Sequence, residues 1–244
     1  MSLASILVLG FFLGMRHATD ADHVVAVSTI VSRERTLRGA APMGLAWGVG
    51  HTATILGVGG MMVIFGVVIS PRMGLGMELF VALMLVALGA ISIRSILREE
   101  RLQTRDGGHD HGHDDVTPAQ PRGWLDASLG RLSASRVVRP LVVGVVHGLA
   151  GSAAVALLVL STVRSATTAI AYLLVFGVGT IAGMGLVTTA LAAPLVLTTG
   201  RFKRVHRFIG VASGLLSVGL GIYVGYQIAF VHGFFGVNPQ WTPQ

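Results

Sequence analysis

The chain has no cysteine, little charge and few aromatic residues. Without cysteine there is no disulfide framework, no thiolate zinc site and no cysteine-held iron–sulfur cluster. Charged side chains make up 12% of the 244 residues, about half the share of an ordinary globular domain. A soluble surface of the usual kind is therefore excluded. Aromatic residues reach only 7%, and the basic residues sit between apolar runs. A single-strand nucleic-acid groove interleaves the two, so the net charge of +7 does not point to nucleic acid. No phosphate-binding P-loop occurs, so direct ATP drive would need a partner.

What is present is apolar: 52% hydrophobic residues and a mean hydropathy of +0.74. Long uncharged runs mark an all-α polytopic membrane protein. Six segments, near 3–31, 42–69, 76–97, 138–162, 167–197 and 207–230, exceed the roughly 20 helical residues that a bilayer requires. The first is odd. As one helix it would extend about 43 Å against a hydrocarbon core of about 30 Å. It also carries Gly14, Arg16, His17, Asp20, Asp22 and His23 in its middle. A broken or strongly tilted helix is expected there. Pro194 is expected to kink or end the fifth segment. The N-terminus lacks the basic start and small-residue cleavage site of a signal peptide, so the first segment is expected to be retained.

Orientation follows from lysine and arginine. With the N-terminus on one side, the loops after segments one, three and five hold Arg33, Arg35, Arg38, Arg94, Arg98, Arg101, Arg105, Arg122, Arg131, Arg136, Arg139, Arg201, Lys203, Arg204 and Arg207. The opposite side has Arg72 and Arg164. The positive-inside rule makes the first side cytoplasmic and puts both termini outside a cytoplasmic membrane.

The chain also resembles itself. His147 in Val-Val-His-Gly-Leu-Ala falls 130 residues after His17 in Gly-Met-Arg-His-Ala-Thr. Trp47-Gly-Val-Gly-His-Thr-Ala matches Phe176-Gly-Val-Gly-Thr-Ile-Ala at a displacement of 129. Two three-span halves must have opposite topology, which is the inverted-repeat plan of many secondary transporters. The expected organisation is a first repeat over 1–97, a His-rich cytoplasmic linker over 98–137, a second repeat over 138–230 and a tail over 231–244.

Charged residues at the bilayer centre cost roughly 2.5–3.5 kcal/mol each on insertion scales, so Arg16, Asp20 and Asp22 need compensation. Arg16 is a possible charge partner for either aspartate. On a regular helix His17, Asp20 and His23 share one face, while Asp22 points away. All four converge on an ion only if the helix breaks, at Gly14 or within 18–22; otherwise Asp22 serves as an outer acceptor for a ligating histidine. His51 and His147 lie at matching depth and are further candidate ligands. Imidazole and carboxylate without thiolate suit nickel, cobalt, zinc or manganese better than copper(I). His109, His111 and His113 in the linker form an accessory metal-binding tract.

Arg16-His-Ala-Thr-Asp-Ala-Asp-His23 resembles the signature of the nickel/cobalt transporter family, within the NicO-like group, and Gly50-His51-Thr52 is similar to that family's Gly-His-Ser motif. The resemblance implies uptake of Ni²⁺ or Co²⁺ across the cytoplasmic membrane. It implies that His17, Asp22 and His23 are needed for transport, with Asp20 in the extended motif and His51 in metal recognition. The family's acid-rich second-half motif is missing: the comparable region, from His147, has no carboxylate. Six spans resemble the urease-associated nickel permeases more than the eight-span members. They also resemble nickel/cobalt exporters, which share a His-rich central loop.

The expected function is therefore non-enzymatic: alternating-access transport of nickel first and cobalt second, with the metal as cargo and no resident cofactor. Protonation of the ligands competes with metal, which makes proton coupling a reasonable mechanism. The implied partners are the lipid bilayer and cytoplasmic metallochaperones or urease and hydrogenase maturation proteins. The alternative is efflux, with the linker collecting metal inside. More distant alternatives are an intramembrane metalloenzyme, which lacks a His-Glu-x-x-His helix here, and a haem carrier ligated by His51 and His147.

Overall fold

A computed structural model describes residues 3–32, 36–67, 69–105, 137–162, 165–198 and 203–241. Among them all regular structure is helical: α1 (Leu3–His17), α2 (Ala21–Val31), α3 (Leu37–Phe65), α4 (Pro71–Arg105), α5 (Val138–Thr162), α6 (Ala166–Thr198) and α7 (Lys203–Tyr226), which ends in a π-helical turn (Gln227–Val231). The accessory residues His109, His111 and His113 lie outside the described residues.

Four helical stretches are long and apolar enough to cross a membrane: Leu37–Phe65, Pro71–Arg98, Ala166–Pro194 and Arg207–Val231. Their outer faces carry Ile64, Leu83, Ile91, Val178, Leu186 and Ile222, each more than half exposed. Water would not tolerate a continuous belt of this kind, and lipid does. The first apolar segment is not one helix. Its two pieces have 15 and 11 residues and rise only about 22 and 16 Å, so neither spans alone. Two other expectations shift. α4 continues eight residues beyond the expected end at 97, to Arg105. Pro194 lies inside α6, which runs on to Thr198. A proline removes one hydrogen bond donor but need not end a helix in a membrane protein, where neighbouring groups take up the freed carbonyl.

Helix ends follow local chemistry. The Thr36 hydroxyl accepts from the Gly39 amide at 3.1 Å and starts α3. Gly66 closes it with φ of 63°, the left-handed position that glycine reaches without penalty.

α3 packs along α5 and α6, α1 along α6, and α4 along α7. Glycines set these approaches. A Cβ at Gly14 would collide with the Phe176 carbonyl, and one at Gly144 with the Trp47 carbonyl. Likewise Gly50 lies against the Leu141 carbonyl, and Gly179 against the Phe11 carbonyl. Gly89 of α4 meets the Gly214 carbonyl of α7, while Gly221 of α7 meets the Ala82 carbonyl of α4. Small residues allow the van der Waals contact and interhelical hydrogen bonds that hold helices together in lipid. Thr52 donates to the Gly177 carbonyl at 3.2 Å, Thr54 to Val145 at 3.0 Å and Ser217 to Leu85 at 2.8 Å.

The interior is filled around Trp47, Met184, Leu85, Val27 and Val31, with a second cluster of Ile55, Tyr172, Leu173 and Phe176. Beyond the π-turn the chain folds back onto α4. There the Trp241 indole donates to Glu78 at 2.8 Å, and Arg72 donates to the Gly236 carbonyl at 3.2 Å.

Candidate metal site

The break in the first segment occupies Ala18, Thr19 and Asp20. The Thr19 and Asp20 amides turn back to the Arg16 and His17 carbonyls at 2.8 and 3.1 Å, which ends α1 tightly. Asp20 then takes the N-cap position of α2, with extended backbone at ψ of 148°. Asp20 and Asp22 both sit where a helix N-terminus favours negative charge. Asp20 does not cap its own helix. Its carboxylate is engaged by His17 instead.

That engagement belongs to a connected set. His17 Nδ1 lies 2.9 Å from Asp20 Oδ2. His23 Nδ1 lies 2.9 Å from Asp22 Oδ1. His147 Nε2 lies 2.8 Å from Asp22 Oδ2. Because a carboxylate only accepts when ionised, this network assigns the proton of each of these imidazoles to the nitrogen facing aspartate. The second nitrogens of His17, His23 and His147 are then lone pairs. This is the carboxylate–histidine arrangement that orients a metal-ligating ring and raises its basicity. It occurs here three times.

His17 Nε2 faces His51 Nε2 at 3.0 Å. In the ion-free protein one proton bridges the two. The same separation, about 3.0 Å, belongs to two donors at right angles on metal–nitrogen bonds of about 2.1 Å. An ion seated there would take both lone pairs, with the His51 proton shifted to Nδ1 of the same ring.

His17, His23 and His51 form one group whose donor atoms lie within 4.8 Å of one another, and Asp22, His23 and His147 form a second. His23 belongs to both. The His23 ring centroid is 4.7 Å from His17, 5.0 Å from His51 and 4.3 Å from His147. His23, His51 and His147 are buried to 2%, 0% and 1% exposure. His23 Nε2, His51 Nδ1 and His147 Nδ1 are buried without a hydrogen-bond partner. Buried polar atoms are nearly always satisfied, so three unpartnered imidazole nitrogens in one cluster have the chemistry of a cation site.

Five of the six residues expected from the sequence, His17, Asp22, His23, His51 and His147, meet in two groups that share His23, while Asp20 stands outside both, half exposed, and reaches them only through His17. Arg16 does not join them. It is exposed at the end of α1 and, among the described residues, pairs with neither aspartate. The aspartates face histidines instead. Two residues were not expected. The Trp47 ring stacks on His23 with centroids 6.1 Å apart and an interplanar angle of 12°, and it meets His147 edge-on at 5.7 Å. Phe176 lies against His17 at 5.6 Å. One signal was available: the internal repeat superposes Trp47 on Phe176.

Replacing Asp22 by asparagine removes its charge and leaves one acceptor oxygen for two rings, setting an amide donor against either His23 or His147. The expected result is a 10–100-fold loss of Ni²⁺ affinity with the fold retained, as for other outer carboxylates of metal sites. Titration of the purified variant with Ni²⁺ checks it.

Comparison with known proteins agrees with this chemistry. A family model, NicO, described as high-affinity nickel-transport protein, matches residues 3–225. A urease accessory protein, UreH, from Bacillus sp. (strain TB-90) is 34% identical over 235 residues, covering 96% of each chain. No solved structure matches.

Proposed function

Since the chain belongs to the NicO family of high-affinity nickel-transport proteins, we propose that it carries Ni²⁺, and secondarily Co²⁺, into the cytoplasm through the cluster of His17, His23 and His51. The observation that carries this proposal is the pairing of the half-buried His17 and the buried His23 with carboxylates at their rear nitrogens. Asp20 and Asp22 orient the ligands, and His147 braces Asp22 from the opposite helix. The dehydrated ion exchanges water for imidazole in a setting that protein, not lipid, surrounds. The function is transport and not catalysis.

The membrane arrangement proposed is two three-span halves of opposite topology. α1 and α2 together make the first crossing, α3 and α4 the next two, and α5 to α7 the second half. The glycine contacts support it because they occur in reciprocal pairs. A shift of 129–130 residues carries Gly14 against Phe176 onto Gly144 against Trp47, and Gly50 against Leu141 onto Gly179 against Phe11. A shift of 132 carries Gly89 against Gly214 onto Gly221 against Ala82. A two-fold relation between halves produces such reciprocity. The arginine-rich side, with the His-rich linker, is cytoplasmic by the positive-inside rule, and both termini are outside.

Inward transport is supported by the accessory relation to urease in the relative's name, since metal for an intracellular enzyme must enter. The test is flux of radioactive Ni²⁺ in proteoliposomes of known protein orientation. Saturable flux toward the arginine-rich face is expected. Flux in the opposite direction alone would make the protein an exporter and the linker histidines its collector.

A further inference from the structure

The donors of the cluster fall into two groups, His17 with His23 and His51, and Asp22 with His23 and His147. We infer that the second group is a second position for the transported ion, and that the ion passes between the two while His23 keeps hold of it. The inference rests on the transport reading above and deepens it.

The five residues do not make one donor shell. Two donors on opposite sides of an ion, on bonds of about 2.1 Å, stand about 4.2 Å apart. Within each group the donor atoms lie within 4.8 Å of one another, close to the span one ion accommodates, and only His23 belongs to both groups. His51 on α3 and His147 on α5 stand with ring centroids 6.0 Å apart. Their helices cannot move together to merge the groups. A Cβ at Gly144 would collide with the Trp47 carbonyl, and one at Gly148 would come within 2.6 Å of the His51 carbonyl oxygen.

The second group has the chemistry of a cation position in its own right. His147 Nε2 and Asp22 Oδ2 are 2.8 Å apart, and His23 Nδ1 and Asp22 Oδ1 are 2.9 Å apart. Neighbouring donors on one ion, with bonds of about 2.1 Å, make the same separations. Both rings keep a buried nitrogen without a partner, His23 Nε2 and His147 Nδ1, ready to carry the proton that an ion displaces. A histidine that only braced Asp22 would gain nothing from an unsatisfied buried nitrogen, which is rare and costly.

The internal repeat relates the two positions. It carries His17 onto His147 and Trp47 onto Phe176. The contacts follow it: Phe176 lies against His17 at 5.6 Å, and Trp47 against His147 at 5.7 Å. Between halves of the opposite topology proposed above, the two-fold axis lies in the membrane plane and exchanges its faces. The histidine of the first group is thereby exchanged with that of the second. The repeat also carries His51 onto Thr180, whose hydroxyl donates to the Phe176 carbonyl at 3.0 Å. Asp22 stands in for that missing imidazole. The ion thus changes ligands in passing without being left bare.

The test uses full-length protein with His109, His111 and His113 replaced by alanine, so that the linker takes no metal. His17→Ala together with His51→Ala dismantles the first position and leaves the second whole. The expected result is one equivalent of Ni²⁺ still bound, with about two imidazole nitrogens and a carboxylate oxygen in its X-ray absorption spectrum. His147→Gln keeps an amide donor for Asp22 but brings no imidazole. Added to that double variant, it should weaken binding by about 10–100-fold. Alone, it should bind Ni²⁺ within about threefold of the unmutated protein, through the first group, yet transport it at least about 10-fold more slowly in proteoliposomes. A folded double variant that binds no Ni²⁺, or binds it regardless of His147→Gln, would overturn the inference. Should the double variant fail to fold, His147→Gln alone decides. Unchanged transport overturns the inference, and so does a loss of affinity equal to the loss of transport. No Ni²⁺ bound by the unmutated protein would instead refute the transport reading, and this inference with it.

Discussion

Replacing His17 and His23 together by alanine is expected to reduce saturable Ni²⁺ transport at least about 100-fold while leaving the protein folded. The two imidazoles supply two of the three nitrogen donors in the group with His51. Their loss also releases Asp20 and one oxygen of Asp22 from their partners. The remaining His51 cannot compensate, since one imidazole competes poorly with the water shell of a divalent ion. Stability should change much less. Neither residue is itself the glycine of a close interhelical contact, and one buried and one half-buried polar ring leave with the metal function. Transport in proteoliposomes, beside the melting temperature of each protein, separates the two effects. A variant with normal melting and normal transport would remove His17 and His23 from the mechanism.

The second large effect concerns packing. Gly144→Ala is expected to destabilise the protein by about 3 kcal/mol, at the upper end of overpacking costs. The new methyl group would collide with the Trp47 carbonyl oxygen, and it would lie 2.7 Å from Trp47 Cδ1 and 3.0 Å from the His51 amide. None of these is the far end of a flexible chain, so α3 and α5 must separate. Separation moves Trp47 and His51 away from His147, and Ni²⁺ affinity should fall together with the melting temperature. Gly57 of α3 is the control. Nothing lies within 4 Å of a Cβ there, and the position is exposed. Gly57→Ala should be neutral or stabilising by about 0.5–1 kcal/mol, the ordinary gain in helix propensity. Equal melting temperatures for the two variants would refute the account of the α3–α5 contact.

Much of the site was legible in the sequence because charge is conspicuous in lipid. His17, Asp20, Asp22 and His23 stand in a run otherwise fit for a membrane, and helical periodicity alone shows that they cannot converge without a break. The helix does break, at 18–20, and Asp22 faces His23 and His147. The all-helical fold was legible for the same reason, from uncharged runs of sufficient length. Whether Arg16 pairs with Asp20, with Asp22 or with neither was not legible in the sequence; among the described residues both aspartates face histidines. Trp47 and Phe176 were invisible as site residues, since an aromatic ring in an apolar run carries no mark of what it faces. The apolar stretch ends at Arg98, close to the expected 97, while α4 itself runs on to Arg105, because hydropathy ends where the lipid does and a helix need not.

The central claim is that imidazoles of this cluster hold the transported ion. X-ray absorption at the nickel edge tests it most directly, on full-length protein with His109, His111 and His113 replaced by alanine and one equivalent of Ni²⁺ added. The account predicts about three imidazole nitrogens at roughly 2.1 Å, with the outer-ring scattering typical of histidine, and loss of one such ligand in His51→Ala. A spectrum of oxygen donors alone, identical with and without His51, would contradict it.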